Sequence, residues 1–533
     1  MSRSPARLYP FLLAIIPAVH MVAANPGQSS ITDLVVVVCA LLLGCGLVFG
    51  LSALLARGRW DGRLPPLAVL ATVLWFWGYV PLVDRVGRRG DLITHAALLP
   101  LGVAVTVFLG WWLLRRPAVL DRMTTFLTMV GGILVGWSAL SIGRTEWRDY
   151  RAIHGSELVR RLAQPIRPRP GAISGPTRDI YLIVLDEYAN ADATRARYGF
   201  DNHVFLDSLR SLGFELPAVH SNYLHTVLSI PSLLNASHLT EITGDVGART
   251  ADPTVPNYLV ENNRAASFLA SRGYRFAFFP SLWWPATRHS PHADWQAGPG
   301  GTFDLVRELG RTELRRDLRN ASVLDLLHRS AEWHSADADH LRHTFAALAR
   351  VPSVPGPVFA FAHVLSPHKP FTFDSACRPL AGERTDAAVD GARYVGQIEC
   401  LNRMLLDLVT RLIRESDVPP VILLQGDHGS APAAFEEAPN ANAIPAAAAR
   451  ERLDAFGAYY LPDRGELLGD SVTIVNVMGD VLRSYAGADL PRERDDMYLS
   501  VYATPYAFKR VDAGWLSAGG RGPLVRGVLG ARP

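Results

Sequence analysis

The chain has 533 residues, 49% of them hydrophobic, with a formal net charge of +3 and a mean hydropathy of +0.12. That balance is too apolar for a single soluble domain and too polar for a protein made only of membrane spans, and so small a charge excludes a nucleic-acid-binding reading. Four cysteines in this length make no disulfide scaffold, and no CxxC or Cys/His zinc spacing occurs.

Five apolar runs open the chain, at about 8–24, 32–55, 66–83, 92–114 and 124–142. Each is long enough to be expected to cross a bilayer as a helix. The first is read as a span, because no small-residue cleavage site follows it and four more runs do. With the N-terminus in the cytoplasm, the cytoplasmic segments carry Arg3, Arg7, Arg57, Arg59, Arg63, Arg115, Arg116 and Arg122, against Arg85, Arg88 and Arg89 outside. The positive-inside rule favours this orientation. Five crossings then put everything after residue 142 outside the cytoplasm, as in an integral protein of the cell (inner) membrane. The spans carry few charges, which argues against a transport path. An oxidising space permits a Cys377–Cys400 disulfide; the alternative is two buried thiols.

Residues 144–163, RTEWRDYRAIHGSELVRRLA, read as a basic helix that lies on the membrane surface or serves as a solvated connector. PIRPRPGAISGPTR follows as an extended linker. The expected regions are therefore a five-helix membrane part at 1–142, a juxtamembrane helix and linker at 143–176, and an extracytoplasmic domain at 177–533.

The last region alternates short apolar runs (DIYLIVL, YRFAFF, PVFAFAH, PVILLQG, GAYYL) with helical patterns. This predicts an α/β fold, a mostly parallel sheet sandwiched by helices. In such sheets ligands bind beyond the carboxyl ends of the strands. There the sequence has Asp186 and Glu187 after the first run, His363 then His368 and Lys369 after the third, and Asp427 and His428 after the fourth. Singly, each is more often a cap or a structural residue; together they match the carboxylate and imidazole ligands of a divalent metal. SNYLHTVLSIPSLLN (221–235) adds a helix start carrying Thr226 and Ser229. A hydroxyl there is a nucleophile if a metal activates it, and otherwise a helix cap. Trp283, Trp284, Arg288 and His289 follow the second run as a pocket wall or a packed aromatic loop.

These motifs resemble those of the alkaline phosphatase superfamily, and within it membrane-anchored sulfatase-like proteins such as lipoteichoic acid synthases and phosphoethanolamine transferases. LDEY resembles the family's first metal-ligand strand end, QGDHGS its Asp-His-Gly motif, HVLSPHKPF its paired histidines, and TVLSIP the transferases' Thr-x-x-Ser-x-Pro. The resemblance implies one divalent ion (Mn, Mg, Ca or Zn). Its ligands would be Asp427, His428, Thr226 and a first-strand carboxylate, Glu187 or the adjacent Asp186. Thr226 would be the nucleophile, His368 and Lys369 would meet the transferred group, and His363 would stand behind. It implies a hydrolase or transferase acting on phosphate or sulfate esters of a lipid or cell-envelope substrate, most simply a phospho-group transferase. The alternatives are an ester hydrolase and an inactive envelope scaffold. Leu233 stands where formylglycine sulfatases have arginine, and residues 431–453 lack the transferases' further histidine.

Overall fold

The computed structural model describes residues 8–25, 29, 31–56, 62–87, 92–170, 176–281, 287–296, 313–324, 333–380, 387–465, 467–512 and 514–515. They form two compact units, one of 1–148 with 304–333 and one of 149–303 with 334–533.

In the first unit every apolar run is a helix: α1 (Tyr9–Ala24), α2 (Ile31–Ala56), α3 (Leu64–Val86), α4 (Leu92–Leu114) and α5 (Pro117–Gly155). Four of them, α2 to α5, are long and apolar enough to cross a membrane. The 16-residue α1 is about 24 Å long and is the shorter apolar helix of the set. It stops at Asn25, whose side-chain amide donates to the Met21 carbonyl at 2.8 Å. Polar groups between helices are satisfied across them, as apolar surroundings require: Trp77 Nε1 donates to the Ala14 carbonyl at 3.1 Å and Tyr79 Oη meets His95 Nδ1 at 2.8 Å.

One element of this unit is absent from the sequence reading. The helix Glu313–Asn320, ELRRDLRN, buries Leu314 and Leu318 in one cluster with Ala18, Val22 and Leu34. Arg315 pairs with Asp33 at 3.0 Å, and Val323 N–H donates to the Phe76 carbonyl at 2.9 Å. Two leucines four apart are too weak a pattern to announce a helix without the surface that receives them.

The basic stretch is helical: α5 runs through its first part as far as Gly155. The chain breaks at Ser156, whose Oγ caps α6 (Glu157–Leu162) by accepting from Val159 N–H. The Asp245 carboxylate accepts from Glu157 N–H at 3.0 Å and Leu158 N–H at 3.1 Å. Together they satisfy donors that a helix start leaves unpaired.

Among the described residues, the largest sheet of the second unit has six strands: β1 (Ile180–Leu185), β2 (Arg275–Phe279), β3 (Trp295–Gln296), β4 (Val358–Val364), β5 (Val421–Gly426) and β6 (Gly457–Tyr460), in the order β3-β2-β4-β1-β5-β6. Every pairing is parallel except that of the edge strand β6. Alternate residues of β1 enter opposite cores: Ile180, Leu182 and Val184 on one face, Tyr181, Ile183 and Leu185 on the other. A strand buried on both faces must be apolar throughout, which is why these runs show no alternation. The first face is covered by α7 (Thr226–Asn235) and the second by α8 (Ala387–Glu415). Of the two alternatives for the cysteines outside the spans, the structure has the Cys377–Cys400 disulfide.

Candidate active site

The three central strands end level. Leu185 of β1 is in register with Val364 of β4 and with Gly426 of β5, so the residues that follow reach one place. Asp186, Asp427 and His428 come together there, each fully buried, with one ligand-type atom apiece lying within 4.8 Å of the others.

The Asp427 turn is held by its own backbone. Asp427 Oδ1 accepts from His428 N–H and from Glu187 N–H, both at 3.0 Å. His428 Nδ1 donates to the Gly429 carbonyl at 3.1 Å, which leaves Nε2 with its lone pair inward, 3.1 Å from Asp427 Oδ2. Both carboxylate oxygens of Asp186, and Oδ2 of Asp427, are buried without a hydrogen-bond donor among the described residues. Buried carboxylate oxygens are normally satisfied, and three left over in one spot need a partner.

Charge follows from burial. Desolvation pushes the Asp427 carboxyl well above the usual carboxylate range, and the neighbouring Asp186 charge adds to it. Burial acts on Asp186 in the same sense, but the His368 and His363 imidazoles outweigh it and hold Asp186 low. Burial, then the Arg452 guanidinium, pushes His428 well below its ordinary value, so it stays neutral. Two facing carboxylates and a neutral imidazole lone pair fit a divalent cation of borderline or hard character.

Thr226 is the first residue of α7, with His225 as its N-cap. Its Oγ1 lies 2.9 Å from His428 Nε2. The loop before it is fixed to the same turn, since Ser221 Oγ donates to the Asp427 carbonyl at 2.7 Å and Ser221 N–H to the Leu453 carbonyl at 2.7 Å. Ser229 is fully buried and bonds back to the His225 carbonyl within the helix. A hydroxyl at a helix N-terminus sits in a field that favours negative charge on its oxygen.

The other residues singled out in the sequence fall at different depths. Glu187 has φ +65°, which turns its side chain away from the cluster. It accepts from Ala431 N–H at 2.8 Å and lies 3.5 Å from His368 Nε2. His363 is buried behind Asp186, with Nε2 3.3 Å from Oδ2 and Nδ1 2.7 Å from Thr287 Oγ1. His368 is partly exposed. Lys369 is exposed and 3.5 Å from Asp390. Arg288 is tied to Glu261, and His289 is half exposed, 3.6 Å from the same carboxylate. Trp283 and Trp284 lie outside the described residues.

Arg452 was missed. It lies in the last turn of the helix α9 (Ala446–Leu453) and is fully buried, with Nη2 3.1 Å from His428 Nε2. In the sequence it is one of two arginines in RERL, after a run of alanines; nothing local separates it from a solvated helix end.

No protein-family model matches the chain, and no curated protein matches it. Among solved structures, the C-terminal periplasmic domain of EptC from Escherichia coli, in complex with Zn, is 11% identical, with 66% of this chain and 96% of that one covered at a TM-score of 0.42. The C-terminal periplasmic domain of the phosphoethanolamine transferase EptC from Campylobacter jejuni is 12% identical, with 60% and 92% covered and a TM-score of 0.36. The 2-O GAG sulfatase BT1596 is 12% identical, with 66% and 88% covered and a TM-score of 0.40.

Proposed function

We propose that this chain is a membrane-anchored, metal-dependent enzyme of the sulfatase-like type. It transfers a phospho group of a lipid or cell-envelope ester through a covalent intermediate on Thr226. The observation that carries this reading is the convergence of three unsatisfied carboxylate oxygens, one imidazole lone pair and the Thr226 hydroxyl at the carboxyl ends of β1 and β5. Asp186, Asp427 and His428 would hold the ion, with Thr226 against it. A divalent ion bound there lowers the pKa of a hydroxyl and offsets negative charge on the transferred group.

The chain's own residues do the rest. Asp427 and His428 are locked by backbone bonds and need no rearrangement. As the Thr226 Oγ–phosphorus bond forms, the bond from phosphorus to the leaving oxygen breaks, and the hydroxyl proton departs with the leaving alcohol. An acceptor hydroxyl then reverses the sequence and the proton returns to Thr226. His368, partly exposed, would meet the incoming group. Four long apolar helices suit a substrate that is itself in the membrane. The arginine distribution and the Cys377–Cys400 disulfide support an extracytoplasmic catalytic unit, with α1 counted as the first crossing.

The first test is divalent metal per chain in the purified full-length protein, beside Asp427→Ala. About one ion, lost in the variant, is the expected result. No ion in the wild type after metal is supplied would sink the reading. Omitting the acceptor then separates transfer from hydrolysis, because a hydrolase forms product without it.

A further inference from the structure

Asp33 is the only charged residue of α2, ITDLVVVVCALLLGCGLVFGLSALLA, and it lies in the first turn of a helix long and apolar enough to cross a membrane. An acid in a span is expensive unless it is paired. Its partner comes from far along the chain, beyond β3: Arg315 Nη2 is 3.0 Å from Asp33 Oδ1, with the two side chains only 11% and 13% exposed.

The rest of that segment fits the same surface. Leu314 and Leu318 are buried with Ala18, Val22 and Leu34, and Val38 and Trp77 pack against the cluster. Val323 N–H donates to the Phe76 carbonyl at 2.9 Å, about 15 Å along α3 from its end at Val86. A backbone donor at that depth must find its acceptor in protein, because lipid offers none. The sequence ELRRDLRN, two leucines four apart among three arginines and two acids, suits the boundary between lipid and water.

The parity of the crossings permits this contact. With α2 to α5 all crossing, the start of α2 and the end of α5 share one side of the bilayer. The chain beyond α5 then reaches Asp33 without another crossing, whatever α1 does. An odd number of crossings would put Asp33 and Arg315 on opposite sides.

We propose that residues 313–324 are a second membrane attachment of the catalytic unit, separate from α5. They form an interfacial segment, seated in the bilayer leaflet on the catalytic side against α1, α2 and α3 and locked there by the Arg315–Asp33 pair. This rests on the membrane-anchored part of the reading above and not on the metal site.

The experiment inserts a site-specific protease sequence after Gly171 of the full chain. Isolated membranes are cleaved there and washed without detergent, which severs α5 from everything that follows. The wild-type fragment is expected to stay in the membrane pellet. Leu314→Glu with Leu318→Glu should raise the released fraction about tenfold or more. Asp33→Asn and Arg315→Gln each strand a mostly buried charge and should release more than wild type; together they strand none and should release less than either alone. Should the double leucine variant fail to fold, this cycle decides. Release of the wild-type fragment, retention of a folded Leu314→Glu/Leu318→Glu fragment, or simple addition of the two effects in the cycle would each overturn the inference and leave membrane anchoring through α2 to α5 in place. An uncleaved wild-type chain that washes off the membrane would overturn both.

Discussion

Asp186 and Glu187 are neighbours in the chain but face different surroundings. Asp186 follows β1 directly and points at Asp427 and His428, while the left-handed backbone of Glu187 carries its side chain toward Ala431, His368 and Arg452. A residue that touches the ion should matter more than one that acts through others. Glu187→Gln should weaken the first ion about 10–100-fold, and Asp186→Asn should exceed that, both read by metal titration. Thr226 carries the chemistry in the proposed reaction. Thr226→Ala should lower turnover by more than about 10³-fold and remove any phosphorylated Thr226 peptide from mass spectra, while Thr226→Ser keeps part of both. Full turnover in Thr226→Ala would refute the covalent role. The sequence motifs led to both Asp186 and Glu187, but their division depends on one φ angle, which depends in turn on what β5 places opposite.

At the scale of elements, the site depends on close approach. A Cβ on Gly429 would lie 2.0 Å from the Glu451 carbonyl oxygen and 2.8 Å from that of Asp454. No side chain fits there, and this contact lets the end of α9 deliver Arg452 to His428. Gly429→Ala should therefore push the turn and α9 apart, at a cost of about 1–3 kcal/mol or more. A lower thermal midpoint together with loss of the bound ion is the expected outcome; wild-type values for both would contradict it. The glycine after Asp-His is visible in the sequence. The backbone that crowds it arrives from residues 451–454 and is invisible there.

At the scale of the molecule, the disulfide closes a loop of 23 residues between Cys377 and the buried Cys400 of α8. Losing it should cost about 3 kcal/mol through the freedom returned to the unfolded chain. Cys377→Ser with Cys400→Ser, compared with wild type in thermal unfolding under non-reducing conditions, measures this. A reductant should lower the wild-type midpoint and leave the variant's unchanged. Formation of the bond in cells would also agree with an extracytoplasmic domain.

The sequence by itself determined the partition into apolar helices and an α/β domain. Span-length hydrophobic runs and short, fully apolar strands follow from burial in lipid or on both faces of a sheet, and both leave a one-dimensional pattern. It also held the ligand candidates, because ligands of such a sheet lie just past its strands. The tertiary structure alone decided which carboxylate meets His428, that Arg452 stands beside it, and that ELRRDLRN packs with α1 and α2. These are encounters between segments far apart in the chain. Each depends on a surface made by other residues, and a local pattern carries no record of the partner it will meet.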